Sequence, residues 1–303
     1  MSMRYQAGII LPGYNPLLVP DAPTIGTATA TFGGISVAFT APSNVGGGAI
    51  TSYIATAKRT SDGVLFTASG ASSPITVTGL TAVAFTATVV AVNLYGPSPS
   101  SAASNSVTPL PALGSALGGG FFAGQISTAG NSIADYNLVV GPEASARSYG
   151  QWKTSNTTTA GTTSVIDGPT NSSNMNDASH PAAQFCEGLT IGGFSDWYMP
   201  ARNELEVCYY NLKPSTANNT TAFGTNANAV PARASNYTLG IPTQTSATDF
   251  RDGNAESFGV FDFWSSTEQS ATRAWLADFG GGYQYNQTKI SGARVRAIRR
   301  VAV

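Results

Sequence analysis

Few residues of this chain have side chains suited to covalent or metal chemistry. Its 303 residues include one histidine, His180, and two cysteines, Cys186 and Cys208. A nucleophilic thiol or hydroxyl needs a base within reach and a group that orients the base. His180 precedes Pro181 and has no carboxylate or hydroxyl neighbour at a triad spacing, while Cys186 suits the buried face of a helix. The three residues are too few for a zinc site of Cys and His ligands. Two cysteines in so long a chain make no disulfide framework, so two buried free thiols in a protein made in a reducing cytoplasm are expected. Asp249, Asp252, Asn254 and Glu256 form an oxygen-rich stretch but miss the D-x-D-x-D-G spacing of a calcium loop. Calcium is the one ion these donors suit, and it is not predicted; no cofactor is expected. A hydrolase needs convergent acids, and here they are scattered, so no enzyme is expected.

Only 10% of the chain is charged and the formal net charge is −1. That leaves no electrostatic footprint for nucleic acid or anionic lipid. No stretch of about 18 apolar residues spans a membrane, and no secretory signal follows Met1. The 33 glycines and 17 prolines fall short of low-complexity disorder, so most of the chain is expected to fold, as two domains.

The elements that must position any site follow. Residues 1–20, MSMRYQAGIILPGYNPLLVP, are broken by Pro12, Pro16 and Pro20, and read as an arm that packs its apolar residues on another protein or back on its own first domain. Residues 21–109 hold short β-branched and aromatic runs between turn clusters: Ala28–Thr31, Ile35–Thr40, Ser52–Arg59, Leu65–Ala68, Ile75–Thr78, Phe85–Val92 and Ala103–Thr108. In Phe85–Val92, Phe85, Ala87, Val89 and Ala91 share one face of a strand. The run PDAPTIG, ISVAFTAP, GGGAITSYIATA, ITVTGL and AVNLYGPSPSSAASNSVTP resembles a fibronectin type III β-sandwich. Phe39 stands where that family usually has a core Trp, and Phe85 where it has the corner Tyr.

Residues 110–120, LPALGSALGGG, read as a linker to a second domain at 121–303. There Phe121–Ile126 and Tyr136–Val140 are candidate strands, and Ser155–Ser179, rich in Thr, Ser and Asn, reads as loop. Helices are expected over Pro181–Gly188 and Pro200–Leu212, the second with Leu205, Cys208, Tyr209 and Leu212 on one face. A loop over Ser215–Ser257 precedes a meander of Ala274–Phe279, Tyr283–Lys289 and Arg294–Val301. On the last strand Arg294, Arg296 and Arg300 would share one face with Ile298, opposite Val295, Ala297, Arg299 and Val301.

The phrases GGFSDWYMPARNELEVCY, FWSSTEQSATRAWLADF and GARVRAIRRV resemble the Lcl-type C-terminal domain, found in a collagen-like bacterial adhesin and in many phage virion proteins. The signature falls on Trp197, Pro200, Glu204, Leu205, Trp264, Ser265, Ser266, Thr267, Val295, Arg296 and Arg299. The resemblance implies an α+β, C-type-lectin-like fold, hence a β-rich two-domain chain. The EPN and QPD tripeptides of calcium-dependent lectins are absent. The signature side chains read as structural: Trp197 and Trp264 as core anchors, Glu204 as a helix-start carboxylate paired with Arg296 or Arg299.

A ligand-binding surface is expected at Glu268, Gln269 and Arg273 and along GGYQYNQ, at Tyr283, Gln284, Tyr285, Asn286 and Gln287. Rigid aromatics beside amides suit recognition of sugars and proteins; equally, the two tyrosines suit cross-strand packing. The resemblance implies a phage virion protein, with residues 1–20 bound to other virion proteins and the tip bound to a host-surface glycan or protein. A tail fibre of this kind is expected to be a homotrimer assembled in the host cytoplasm. The rival expectations are a capsid or tail decoration protein and a bacterial surface adhesin.

Overall fold

The computed structural model describes residues 18–303, and the chain divides after Ala112 into two compact units. The first holds β1 (Thr24–Thr31), β2 (Gly34–Thr40), β3 (Ile50–Arg59), β4 (Leu65–Gly70), β5 (Ile75–Thr78), β6 (Phe85–Asn93) and β7 (Gly96–Pro97). They form two antiparallel sheets, β1-β2-β5 and β4-β3-β6-β7. Strict alternation buries Phe85, Ala87, Val89 and Ala91 of β6 against Ile35, Val37, Ile75 and Val77. Phe39 lies 4.7 Å from Tyr53, centroid to centroid, and Phe85 is fully buried, so phenylalanine serves at both positions of this fibronectin type III-like sandwich.

The expected strand Ala103–Thr108 is replaced by a serine ladder. Ser98, Ser101 and Ser104 each donate a backbone N–H to Ala91, Val89 and Ala87 of β6 respectively. Their hydroxyls accept the N–H groups of the same three residues at 2.9–3.0 Å. A three-residue spacing thus satisfies a strand whose own period is two, which covers an edge that would otherwise pair with another chain.

Residues 1–17 of the expected arm lie outside the described residues. Its last residues pack on the sandwich: Val19 is buried, and the Leu18 carbonyl accepts from Gly47 N–H and Asn93 Nδ2, both at 2.8 Å. The stretch read as a linker is also held at both ends. Leu110 exchanges backbone hydrogen bonds with Thr31 and Gly33 of the first unit, and β8 (Ala116–Leu117) pairs within the second.

The second unit continues with β9 (Gly120–Ile126), β10 (Tyr136–Val140), α1 (Glu143–Ala146), β11 (Arg147–Gln151), α2 (Gly168–Ser173), α3 (Pro181–Glu187) and α4 (Arg202–Leu212). After these come β12 (Ala229–Val230), β13 (Asp262–Glu268), β14 (Arg273–Asp278), β15 (Gln284–Thr288), β16 (Gly292–Arg296) and β17 (Ile298–Ala302). One sheet runs β12-β9-β10-β17 with β8 beside β9; the other runs β11-β16-β13-β14-β15. Helix α4 buries Leu205, Cys208, Tyr209 and Leu212 in a core with Phe258, Phe263 and Phe279. A second core gathers Trp152, Met175, Cys186, Trp197 and Trp264. The two thiols are free and sit in different cores, and burial pushes both up and away from thiolate.

Three expectations are corrected here. Arg294–Val301 is two strands: the chain breaks at Ala297, β16 staying in one sheet and β17 joining the other, which resets the alternation of side chains. Glu204 therefore meets Arg300 at 2.8 Å, not Arg296 or Arg299. Arg296 is buried against Glu256 at 2.8 Å and Arg299 pairs with Asp196 at 2.7 Å. Finally, Ser155–Ser179 is not plain loop: it contains α2, started by Asp167 accepting the Thr170 N–H and held by buried Asn171, whose Nδ2 donates to the Ser164 carbonyl.

Candidate ligand-binding surface

The signature residues build the frame and leave the surface to others. Trp197 and Trp264 are buried, and each indole N–H reaches a backbone carbonyl at 3.1 Å, of Phe194 and Gly150 respectively. Glu204 is fully buried. It accepts Tyr198 Oη at 2.6 Å, Arg300 Nε at 2.8 Å and the Ala201 N–H at 2.8 Å, closing the first turn of α4. Burial raises its pKa against the opposing pull of Arg300. Ser265, Ser266 and Thr267 tie β13 to its surroundings. Ser265 Oγ donates to the Trp275 carbonyl, the Ser266 N–H to Pro200, and Thr267 Oγ1 to Ser164.

On that frame the β14–β15 hairpin presents the two tyrosines. Its turn is fixed by Asp278, whose carboxylate accepts the N–H groups of Gly280 at 2.7 Å and Gly281 at 2.9 Å. Gly282 has φ +73° and lies against the Tyr209 ring, so both backbone and space demand glycine there. Tyr283 emerges next, 44% exposed, its ring stacked on Tyr285 at 5.5 Å and 22°. Phe223 meets the Tyr283 ring edge-on at 4.9 Å. Tyr285 is half-buried and hydrogen-bonds Asp262; burial and that carboxylate push the phenol up, so it stays protonated. The result is a firm aromatic shelf with one open ring.

The other expected site residues divide. Gln269 and Arg273 are exposed, and Arg273 Nη1 donates to the Asn286 carbonyl at 3.0 Å and to its Oδ1 at 3.1 Å. Asn286 and Gln287 are half-buried along β15. Glu268 is not available to a ligand: it is buried, pairs with Lys289 at 3.1 Å and accepts from the Thr159 N–H and Thr162 Oγ1. Gln284 is buried too, accepting Arg202 Nε at 2.8 Å while the Arg202 guanidinium stacks 4.0 Å from the Trp275 ring centre. Both polar types were read as surface, whereas this domain uses them as interior ties.

A second concavity went unread in the sequence. A cleft of about 560 Å³ opens between Tyr210, Asn211 and the segment Ile241–Ser246, with Ile241 54% exposed on its rim. Two buried side chains hold the carbonyls of its wall. Lys213 Nζ donates to Pro242 at 3.2 Å, and Asn219 Nδ2 donates to Thr238, Leu239 and Pro242 at 2.9–3.2 Å. Glu206, also buried, receives Arg233, Tyr237 Oη and Asn226 Nδ2 and so gathers the same long loop. An isolated Phe223 or Glu206 carries no periodic signal in the sequence.

His180 does have the neighbours its local sequence was read to lack, Asp177 Oδ1 at 2.9 Å and Thr159 Oγ1 at 2.8 Å. The D-x-x-H spacing was the missed signal. The cluster is buried at Thr159, and Thr159 Oγ1 is taken by Lys153 Nζ at 2.9 Å. In the oxygen-rich stretch, Glu256 is committed to Arg296 and to the Glu143 N–H. Among the described residues no three His, Cys, Asp or Glu side chains gather to hold a metal ion, and no helix is long and apolar enough to cross a membrane.

The chain has 23% identity to "Titin kinase and its flanking domains", over 30% of this chain and 17% of that one, with a TM-score of 0.27. It has 28% identity to titin module A71 from human cardiac muscle, over 29% of this chain and 90% of that one, with a TM-score of 0.26. For the FN5 domain of Drosophila Lar the identity is 24%, over 30% of this chain and 98% of that one, with a TM-score of 0.25. No curated protein sequence matches the chain. The model of the Lcl C-terminal domain matches residues 147–299, from β11 into β17 and across every signature residue. The chain therefore belongs to the family defined by the Lcl C-terminal domain.

Proposed function

We propose that this chain is a bacteriophage virion protein, a tail-fibre adhesin whose C-terminal domain binds the host-cell surface. The observation that carries the reading is the Phe223–Tyr283–Tyr285 shelf. An exposed tyrosine is held in place by ring packing on one side and an Asp278-fixed turn on the other. A rigid aromatic loses little conformational entropy on binding, and the amide of Gln287, two residues on from Tyr285 and on the same strand face, supplies an adaptable hydrogen-bonding group. That pairing suits a saccharide, which offers apolar ring faces and hydroxyls, or a polar protein loop. The separate cleft at Tyr210 and Ile241–Ser246 offers further hydroxyl and amide groups. In this reading residues 1–20 join other virion proteins, the sandwich is a spacer, and a homotrimer multiplies weak single-site affinity.

The test is binding of the full chain to host cells and to a glycan array, beside Tyr283→Ala/Tyr285→Ala. Saturable binding that falls at least tenfold in a variant with wild-type melting supports the reading. Absence of binding by the wild-type chain in any oligomeric form would move the assignment to a decoration protein with a structural role.

A further inference from the structure

Away from the shelf, residues 153–180 are held on the Trp152 core by a buried knot of charges whose protonation can be followed atom by atom. Lys153 Nζ donates to the Thr158 carbonyl at 3.0 Å and to Thr159 Oγ1 at 2.9 Å. An ammonium only donates, so Thr159 Oγ1 accepts from it and turns its own hydrogen toward His180 Nε2, 2.8 Å away. Nε2 is then bare and Nδ1 carries the ring hydrogen, given to Asp177 Oδ1 at 2.9 Å. His180 is 3% exposed, and its ring packs edge-on against Trp152 at 5.7 Å.

Every element around the imidazole contributes a charge or a dipole. Asp177 and Ser179 face Nδ1 from its own segment. Lys153 reaches it through Thr159, and Lys289, from the turn after β15, lies 4.6 Å from the Trp152 ring centre. Lys289 Nζ also donates to the Thr157 carbonyl at 2.8 Å. Glu268, at the end of β13, neutralises Lys289 and accepts the Thr159 N–H. A proton on Nε2 would face a hydroxyl already turned toward it and place a third cation beside two lysines.

We propose that His180 is an acid-sensitive latch: neutral, it closes the segment 153–180 onto the domain, and protonated, it releases it. Burial lowers the affinity of the closed ring for a proton, with Lys153 and Lys289 adding to the effect and Asp177 opposing it. The open ring in water titrates near its ordinary value of 6.5. Opening takes up one proton, so the ring's contribution to closure is full well above pH 6.5 and declines as pH falls from there toward the lowered value of the closed ring. The open fraction grows by up to tenfold per pH unit.

Hydrogen–deuterium exchange on the full chain, corrected for the intrinsic pH dependence of exchange, tests this between pH 7.5 and 5. The amides of Thr154, Thr159 and His180, all hydrogen-bonded in the closed form, are expected to lose protection at acid pH while α4 keeps its own. The variant His180→Gln, which keeps an acceptor and a donor but cannot titrate, is expected to abolish the change. Unchanged wild-type protection in residues 153–180, or an equal loss in α4, overturns the latch whether or not the variant folds.

Discussion

The two domains are held by different physics. The sandwich rests on alternation: apolar faces of short strands meet, and among the described residues its one ion pair, Arg59–Asp62, is on the surface. The Lcl domain instead buries charge, setting Arg296 on Glu256, Arg300 on Glu204, Lys289 on Glu268 and Arg233 on Glu206. A domain with long polar loops has too little apolar surface there to offset the entropy of ordering them. Ion pairs and side chains that donate to backbone carbonyls do that work, as Lys213 and Asn219 do for the cleft wall. The difference teaches where each domain tolerates change. Sandwich strands need only size and alternation, whereas the second domain depends on particular charged partners.

The largest effect expected from this contrast is at Glu204. Glu204→Ala leaves Arg300 and the Tyr198 hydroxyl unpaired in the interior, and costs about 3–5 kcal/mol. Denaturant unfolding of the full chain should show the loss confined to the Lcl domain, with the sandwich transition unmoved. An unchanged midpoint for the Lcl domain would break the comparison. In the sandwich the corresponding probe is small: Ile35→Val removes one buried methylene and costs about 1 kcal/mol. A loss several times larger would mean that the sandwich is as finely constrained as its neighbour.

How much was readable follows from the same division. Strands β2, β3 and β6, the helices α3 and α4, and both domain identities were legible because period and signature phrases are local. The pairing of Tyr283 with Tyr285 was legible as well, since a two-residue spacing puts them on one face. What failed was non-local. Glu204 could not be matched to Arg300 without knowing that the chain changes sheets at Ala297. Residues 153–180 look like unstructured Thr- and Asn-rich text because their order comes from Glu268 and Lys289, more than a hundred residues later. For the same reason Glu268 and Gln284 read as surface groups in the sequence and are interior ones in the fold.

Recognition by the aromatic shelf is the central claim, and a binding footprint tests it most directly. Hydrogen–deuterium exchange of the full chain, free and bound to host-cell envelope fragments, should show new protection at residues 218–224 and 281–287 with the sandwich unchanged. Protection confined to the sandwich, or none anywhere at saturating envelope, would contradict it.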